Sequence, residues 1–582
     1  MNRQASFVAA YVLLASASAL PSYALSHAAV TDFPREPAAW QNPETTNSPS
    51  ERLERQVLLA KSLAGRHAYA EAAAALESTA GDLAVTELPD WPDTLYALAR
   101  YQALAGETDK ALVTLKTAVD VGATPMANDV VREPDLVSLH GRGGFKASIA
   151  RLEKEEAVWR DSPVLATGYR PVLSDAEKAA GLAKIWSEAR FNFPFFGRLT
   201  DIDWDAEYMA YLPQALAAKT TEDYYRVLAR FMATLKNGHS RVVAPKELSG
   251  RLYGVVPLST RLIGGKIVVT AVAEDDPSTR SIRPGDEIVA IDGREAIAYA
   301  KAEIEPTVFG FTPQDRDVWT YGYDLLRGPV GKPLRLVFRR DGKTFAARAH
   351  RRGSRGMMNG YAPEIPTSAT FKMLPGNVAY LRICEFIDDA AFETVRDHFA
   401  EISKAGGLVI DVRSNGGGND ANGMKILQVL ADKSFAGPNW RSRDYKAAFR
   451  SWRGRQGWFR GNNGVYQPDP TMHYAGPVAV LVGPKTYSAA EDFTVAFDAM
   501  KRGTLIGEKT GGSTGNPFQF SLPGGGMAMI CTIDDTYPDG RAFDGVGIRP
   551  EIEVAPAVAD IRSGRDPALE RAMEVVTNVP AP

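Results

Sequence analysis

The stretch GPVAVLVGPKTYSAAEDF, Gly476–Phe493, joins an apolar strand to a helix through a short turn. Five consecutive apolar residues, Val478–Val482, have the composition of a strand that is buried on both faces. The strand breaks at Gly483-Pro484, and a helical pattern starts around Ser488. Unpaired N–H groups at a helix N-terminus favour developing negative charge, which suits a nucleophilic serine. An ordinary N-cap serine fits the pattern equally well, so both interpretations stay open.

The residues on either side of this stretch alternate between apolar runs and helical patterns. Val378–Ile383, Leu408–Val412 and Thr504–Gly507 are further strand candidates, separated by segments with helical spacing. Such alternation predicts a layered α/β domain with mostly parallel strands. Ligands of these sheets bind at the loops beyond the strand ends, so we expect the functional residues there.

Two other segments carry residues that complement a nucleophilic serine. In LVIDVRSNGGGND a buried strand ends in NGGG at residues 415–418, and in LKNGHSRV a helix ends near His239. The N–H groups of Gly416 or Gly417, together with that of Ala489, are candidates for an oxyanion hole. Histidine is the side chain suited to accept a serine proton near neutral pH. Taken alone, a flexible glycine turn and an isolated histidine explain these segments equally well.

The composition indicates a globular chain of several domains. Its 582 residues are 45% hydrophobic and 24% charged, and a formal net charge of −3 leaves no basic excess for nucleic acid. The two cysteines, Cys384 and Cys531, lie in apolar strand-like stretches and do not provide a disulfide framework. CxxC and HExxH motifs are absent from the sequence, so we expect no metal.

The first residues have the pattern of a signal peptide. Arg3 is followed by an apolar run at residues 7–20 and by the string SYA at residues 22–24, which fits a signal-peptidase site. We predict cleavage there, which gives a signal peptide over residues 1–24 and an exported, periplasmic protein. The apolar run is shorter than the about 20 residues of a membrane-spanning helix. Residues 25–50, rich in Pro, Asn, Thr and Ser, are predicted as a linker.

Two regions resemble known protein modules. Residues 51–165 contain helical pairs whose turns share the string LAG, and they resemble tetratricopeptide repeats. A peptide-binding scaffold and a small helical appendage both fit this region. Residues 253–352 carry short β-type runs, and IRPGDEIVAIDG within them resembles the most recognisable stretch of PDZ domains. PDZ domains bind chain termini by strand addition, but residues 253–258 have no clear GLGF-type carboxylate loop, so terminus binding is left open.

Five strings occur in the order seen in one family of serine peptidases. KNGHSRV, DVRSNGGGND, KTYSAAED, IGEKTGG and FDGVGIRPEIEV lie between Ser174 and Val554, as in the C-terminal processing (tail-specific) and tricorn-core peptidases, which the chain resembles. The resemblance implies a crotonase/ClpP-like α/β catalytic domain over residues 370–556. It further implies a helical N-terminal part of the peptidase unit over residues 170–250 and a tail over residues 557–582. The implied activity is serine-type endopeptidase action on peptides or unfolded envelope proteins without a cofactor, and a homo-oligomer is left open.

Members of this family activate the serine in two ways. The processing branch uses a lysine, but Ser513 stands in that place here, so we predict that the Ser–Lys dyad is absent and that Lys509 is structural. The tricorn-like branch uses a histidine and a downstream carboxylate, usually glutamate, and His239 and Asp544 match these positions. By this resemblance Ser488 attacks the peptide, His239 shuttles the proton and Asp544 orients His239.

The sequence departs from the tricorn pattern at one further position. Gly238 stands where tricorn has a hydroxyl before the histidine, so the tricorn tetrad is not carried over.

Functions of two other classes are compatible with the same sequence. Interphotoreceptor retinoid-binding repeats resemble this fold, so a non-catalytic hydrophobic-ligand or protein-binding protein is one alternative. An interaction scaffold that recruits envelope proteins is the other.

Overall fold

The computed structural model describes residues 48–88, 90–123, 125–273, 275–353 and 368–578. The chain divides between Arg160 and Asp161 into two compact units. The predicted signal peptide lies outside the described residues, as does the predicted linker apart from residues 48–50. Of the helices that the structure describes, none is both long enough and apolar enough to span a membrane.

The first unit is helical, which confirms the predicted helical N-terminal region. Its helices are α1 (Pro49–Ala64), α2 (Tyr69–Glu77), α3 (Leu83–Thr86), α4 (Trp91–Leu104), α5 (Thr108–Asp120), α6 (Ala127–Arg132) and α7 (Gly143–Glu156). Ser48 and Glu51 form a capping box that starts α1. Ala72, Ala99 and Ala111 are fully buried, and their small side chains let neighbouring helices pack closely.

The second unit begins with a helical part that leads the chain to His239. It contains α8 (Asp175–Asn192), α9 (Trp204–Ala217) and α10 (Thr221–Ala233), followed by the short strand β1 (Arg241–Val243) and α11 (Ser249–Leu252). The apolar residues of α10 recur on one face, where Tyr224, Leu228 and Phe231 are fully buried. The loop that carries His239 therefore starts from a helix fixed in a hydrophobic core and ends in a strand.

Residues 258–350 form an antiparallel sheet with a helical insertion. Its elements are β2 (Leu258–Ile263), β3 (Lys266–Val272), β4 (Glu287–Ile291), β5 (Arg294–Glu295), α12 (Ala296–Tyr299), α13 (Pro313–Asp317), β6 (Pro333–Arg340) and β7 (Lys343–His350). The strand order is β2-β3-β4-β6-β7, and β5 pairs with β4. Leu334, Leu336 and Phe338 alternate along β6 and are buried, so one face of this sheet covers a core of its own.

Residues 369–577 form an α/β domain around a six-stranded sheet. Its elements are β8 (Ala369–Leu374), β9 (Val378–Ile383), α14 (Ala390–Asp397), α15 (Phe399–Ile402), β10 (Gly407–Asp411), α16 (Asp420–Leu430), β11 (Phe435–Ala436), β12 (Asn439–Asp444), α17 (Ala447–Ser451), β13 (Gly457–Asn462), β14 (Val465–Tyr466), β15 (Val478–Val482), α18 (Ala489–Met500), β16 (Thr504–Gly507), β17 (Phe518–Leu522), β18 (Gly526–Ile530), β19 (Ile533–Thr536), β20 (Ile552–Glu553), α19 (Val558–Ser563) and α20 (Pro567–Thr577). The strand order is β20-β16-β15-β10-β9-β8, and only β8 and β9 pair antiparallel. The predicted strands are confirmed as β9, β15 and β16, and the fourth, β10, is shifted by one residue.

Helices cover both faces of this sheet, which corrects one prediction. Residues of α14, α16 and α18 pack on one face. On the other face Ala568, Ala572 and Val576 of α20 pack against Val409 and Leu481. The residues predicted as a tail therefore complete the core, because a parallel sheet is apolar on both faces and needs two layers of cover.

Two three-stranded antiparallel sheets join segments that lie far apart in the sequence. One has the order β1-β18-β17, so the strand after His239 pairs with a hairpin from the far end of the sequence. The other has the order β13-β12-β19. Cys531, which directly follows β18, is buried and free, and Cys384 is half-buried and free.

Candidate active site

Ser488 lies directly before helix α18, in the turn that follows β15. Its backbone has φ 55° and ψ −130°, a conformation that non-glycine residues rarely adopt. The side chain does not cap the helix, and its Oγ lies 3.0 Å from His239 Nε2. The Ser488 N–H donates to the carbonyl oxygen of Ser513 at 3.0 Å. The strained turn therefore presents the hydroxyl to the histidine rather than to the helix.

His239 is held by its backbone, by an aromatic ring and through its own ring nitrogens. Its N–H donates to Asn237 Oδ1 at 3.0 Å, and its ring stacks on that of Tyr487 with the centroids 5.2 Å apart. Burial, together with the nearby Arg241 cation, lowers the pKa of His239 to about 3. The imidazole is therefore neutral near pH 7, and if Nε2 accepts from the Ser488 hydroxyl, Nδ1 carries the ring proton.

The partner of His239 Nδ1 is the hydroxyl oxygen of Ser513, at 3.0 Å. The Ser513 N–H donates to Glu491 Oε2 at 2.8 Å. Glu491 Oε1 accepts from the Gly512 N–H at 2.8 Å and from Thr510 Oγ1 at 2.5 Å. Burial raises the pKa of Glu491 to about 7, although these three hydrogen bonds oppose the shift. The loop that presents Ser513 is therefore anchored on a buried carboxyl group from the first turn of α18.

The structure shows no hydrogen bond between Asp544 and His239, so the contact expected of an orienting aspartate is not formed. Both ring nitrogens of His239 are hydrogen-bonded to serines, Ser488 and Ser513. The Asp544 carboxylate oxygens are buried and have no hydrogen-bond partner among the described residues. Burial raises the pKa of Asp544 well above its usual value, so the group resists the charge that an orienting carboxylate needs. The main-chain carbonyl of Asp544 accepts from Arg198 Nη1 at 3.0 Å.

The two glycines predicted for an oxyanion hole differ in their availability. The Gly417 N–H donates to Asn415 Oδ1 at 2.9 Å and is therefore occupied. The N–H groups of Gly416 and Ala489 make no hydrogen bond within the part of the chain that the structure describes. Gly417 has φ 98°, and a Cβ on it would lie 2.6 Å from Ser488 Cβ, so this close approach requires glycine. Of the predicted donors, Gly416 and Ala489 are the pair left free.

Gly238 is also required by packing. A Cβ placed on Gly238 would lie 1.4 Å from the Tyr487 hydroxyl oxygen and 3.1 Å from Ser513 Oγ. The phenol that stacks on His239 therefore fills the space of any side chain before the histidine. The absence of a hydroxyl residue at this position is explained by the presence of Tyr487.

Sequence reasoning left the roles of Glu491 and Ser513 unrecognised. Ser513 stands where the processing branch has its lysine, and a polar residue at a position expected to be functional is the signal that the sequence offers. The sequence around Glu491 offers no such signal, because a glutamate in the first turn of a helix is commonly an exposed partner of the helix dipole. Its burial follows from the loop that folds over it, a long-range contact that local sequence does not encode.

Comparisons with known proteins find similar peptidases. Residues 377–554 match the profile of peptidase family S41. A chloroplastic C-terminal processing peptidase from Tetradesmus obliquus is 24% identical over 357 residues, which are 57% of this chain and 68% of that protein. A putative tricorn protease homologue from Streptomyces coelicolor is 23% identical over 452 residues, 71% of this chain and 34% of that protein.

A solved structure shares the fold. Mature CPAF complexed with lactacystin superposes with a TM-score of 0.56 and 16% identity, over 69% of this chain and 98% of that chain. Ser488, Ser513 and Asp544 lie within the residues that match the family profile, whereas His239 precedes them. The chain therefore carries a domain of peptidase family S41 and is a homologue of serine-type C-terminal processing peptidases.

Proposed function

We propose that this chain is an exported serine endopeptidase with Ser488 as nucleophile and His239 as general base. The observation that carries the proposal is the hydrogen-bonded series Ser488 Oγ, His239 Nε2, His239 Nδ1 and Ser513 Oγ, with both distances at 3.0 Å. A nucleophile, a base and an orienting group in contact are the geometric signature of an activated serine. The strained backbone of Ser488 adds support, since such strain concentrates at functional positions.

The proposed reaction follows from these contacts. Ser488 Oγ attacks the scissile carbonyl carbon while His239 Nε2 takes the hydroxyl proton. The carbonyl oxygen becomes an oxyanion and accepts hydrogen bonds from the N–H groups of Gly416 and Ala489. The imidazolium then gives its proton to the leaving amine, and the C–N bond breaks. Water hydrolyses the acyl ester on Ser488 with His239 again as the base.

We assign positioning roles to Ser513 and Glu491. The Ser513 hydroxyl oxygen accepts a hydrogen bond from His239 Nδ1–H in the tautomer that leaves Nε2 free to act as base, and it holds the ring in that orientation. A hydroxyl is neutral and stabilises an imidazolium less than a carboxylate does. Glu491 holds the main chain of Ser513 in place by accepting a hydrogen bond from its N–H. The proposed peptidase would thus depend more on the orientation of His239 than on a negatively charged group beside it.

Several finer assignments belong to the same proposal. We interpret the antiparallel sheet at residues 258–350 as PDZ-like, the α/β domain as crotonase/ClpP-like and the first unit as tetratricopeptide-like. The proposed substrates are peptides or unfolded proteins of the cell envelope, in line with the predicted signal peptide and a periplasmic location. No cofactor is needed for the proposed chemistry.

A serine-directed fluorophosphonate tests the proposal. We expect stoichiometric labelling of Ser488, located by mass spectrometry of the digested protein, and hydrolysis of a peptide library by the same preparation. Ser488→Ala and His239→Ala should abolish both labelling and hydrolysis while their thermal unfolding stays close to that of wild type. A protein that neither reacts nor hydrolyses peptides, but retains hydrophobic ligands, would support the non-catalytic alternative instead.

A further inference from the structure

A hairpin of the second unit carries a dense set of cationic and aromatic side chains. Strands β12 and β13 pair antiparallel, and α17 lies in the connection between them. The segment from Arg441 to Arg460 contains seven arginines and lysines but one acidic residue, Asp444, and five of its residues are aromatic. The whole chain has a formal net charge of −3. The hairpin is therefore a strongly basic segment of a slightly acidic chain.

At the base of the hairpin the charged groups hold the fold. Arg441 Nη2 lies 2.6 Å from Asp534 Oδ2, and Arg443 Nη2 donates to the carbonyl oxygen of Pro194 at 3.2 Å. The Cζ atoms of both arginines lie 4.4 Å from the ring centroid of Trp458. These side chains fix the hairpin to the rest of the unit, so they are not available to a partner.

The tip of the hairpin, residues 445–456, is a turn closed by hydrogen bonds. Gln456 Oε1 accepts from the Lys446 N–H at 2.7 Å, and Gln456 Nε2 donates to the Lys446 carbonyl oxygen at 3.2 Å. The Gly454 N–H donates to the Phe449 carbonyl oxygen at 2.6 Å. The side chains of the tip therefore start from a main chain that is held in place.

Aromatic rings and arginines are exposed together at this end of the hairpin. Trp452, in the tip, is 73% exposed, and Phe459, on β13, is 60% exposed. The arginines that are exposed and make no ion pair within the part of the chain that the structure describes are Arg450, Arg453, Arg455 and Arg460. Exposed apolar surface that clusters in this way marks an interaction site. The combination points to a partner that offers both negative charge and an apolar layer.

We propose that this hairpin binds the surface of a membrane that contains anionic phospholipid. Tryptophan rings prefer the boundary between lipid head groups and acyl chains, which accommodates an apolar ring and its N–H group together. Guanidinium groups present planar forks of N–H donors that match phosphate oxygens. A soluble polyanion would pair with the arginines but leave Trp452 and Phe459 in water. The hairpin would lie on the lipid surface as a peripheral contact.

Vesicle binding by the full chain tests the proposal. The probes are vesicles of phosphatidylcholine alone and vesicles of phosphatidylcholine mixed with an equal amount of phosphatidylglycerol, and cosedimentation measures binding. We expect tighter binding to the phosphatidylglycerol vesicles at about 0.1 M salt, and loss of most of the difference at about 1 M salt, because salt screens exposed charges. Every variant keeps the N-terminal residues of the wild type, so any contribution of the apolar run at residues 7–20 is the same in each comparison.

Variants at the tip assign the binding to the hairpin. The double variant Arg453→Gln with Arg455→Gln should weaken binding to the phosphatidylglycerol vesicles by roughly 20-fold, since each basic residue near an anionic surface contributes about fivefold. Trp452→Ala, which leaves the charge unchanged, should weaken it by roughly tenfold. The matched control is Arg280→Gln with Arg283→Gln, which removes two exposed arginines from the connection between β3 and β4 and should bind as the wild type does.

Each outcome supports the proposal or overturns it. Equal binding of the wild type to both kinds of vesicle, or unchanged binding by both tip variants, would overturn it. If the arginine variant loses binding while Trp452→Ala keeps it, the hairpin is an electrostatic site for soluble polyanions such as acidic unfolded proteins, and the lipid assignment is wrong. Hydrolysis of a short soluble peptide should be the same in every variant, so failure of the lipid contact and failure of the proposed peptidase are observed separately.

Discussion

At the scale of single residues, the hydroxyl of Ser513 takes the hydrogen bond that a carboxylate was expected to make with His239. Ser513→Ala removes the acceptor for Nδ1 and frees the imidazole to rotate or change tautomer. We expect kcat for peptide hydrolysis to fall by roughly 10²-fold, with little change in KM, because the loss acts on proton transfer. Steady-state kinetics on one peptide measures this effect.

Asp544→Asn is the matched comparison for Ser513→Ala. The Asp544 carboxylate makes no hydrogen bond among the described residues, so we expect the asparagine variant to keep most of its activity. An activity loss in Asp544→Asn as large as that in Ser513→Ala would restore the aspartate as the residue that orients His239.

The buried imidazole also sets the expected pH dependence. Because burial and Arg241 lower the pKa of His239 to about 3, the base remains neutral far below its reference pKa of about 6.5. The acidic limb of log(kcat/KM) should therefore lie well below pH 6. Burial raises the pKa of Glu491 to about 7, so this group also titrates in the range of the measurement. Because protonated Glu491 keeps one oxygen as an acceptor, its titration should cause only a small step in log(kcat/KM). A single limb near pH 6.5 in the wild type would contradict a buried neutral base.

Asp544 has a predicted effect on stability instead. Its folded-state pKa is raised well above the usual value by burial, so the folded protein holds a proton that the unfolded chain releases above about pH 4. The free energy of unfolding of the wild type thus decreases as pH rises toward the folded-state pKa. Asparagine cannot ionise, so Asp544→Asn should gain a few degrees in Tm relative to wild type at pH 8 and less at pH 5. A Tm difference that is the same at both pH values would show that burial does not raise the pKa of Asp544.

At the scale of secondary-structure elements, the insertion in the antiparallel sheet reaches the loop that presents Ser513. Thr312 Oγ1, just before α13, donates to the Gly511 carbonyl oxygen at 2.6 Å. Gln314 Nε2 donates to the carbonyl oxygens of Thr510 at 2.9 Å and Val546 at 3.2 Å. The sheet region and the candidate active site are therefore joined by hydrogen bonds to main-chain atoms.

Gln314→Ala tests this connection. The substitution releases two carbonyl oxygens of the loops around Ser513, and we expect kcat to fall by roughly tenfold because the His239 partner loses its fixed position. Asp317→Asn on the same helix, with an exposed side chain, is the control and should keep wild-type kinetics. If kcat is unchanged in Gln314→Ala while Tm falls, the contact is structural only.

The elements differ in how far their sequence reveals them. Strands β9, β15 and β16 were predictable to the residue, because strands buried on both faces are mostly apolar runs with clear ends. Helix α20 was missed because Ala568 and Ala572 contribute little hydrophobic signal, although both are buried. The pairing of Ser488 with His239 was predictable only from several strings taken together. The contact between Ser513 and His239 depends on the position of a loop in the folded protein, which no local sequence pattern predicts.

At the scale of the whole molecule, each unit has hydrophobic clusters of its own. The clusters of the first unit are built from residues 53–152, and those of the second from residues after 172. Separate cores predict separate unfolding. Every residue of the candidate active site lies in the second unit, so loss of structure in the first should leave the chemistry of the second intact.

A matched pair of leucine-to-alanine variants in the full chain tests this independence. Leu115 in the first unit and Leu481 in the second are both fully buried, and each substitution should cost about 2–5 kcal/mol through lost burial and a cavity. In scanning calorimetry Leu115→Ala should lower the transition of the first unit alone, and hydrolysis of a short peptide should survive until the second transition. Leu481→Ala, in the strand that leads to Ser488, should lower the second transition and the temperature of heat inactivation together. One transition that moves equally in both variants would mean that the two units unfold as a single cooperative body, and the active site would then depend on the helices of the first unit for its stability.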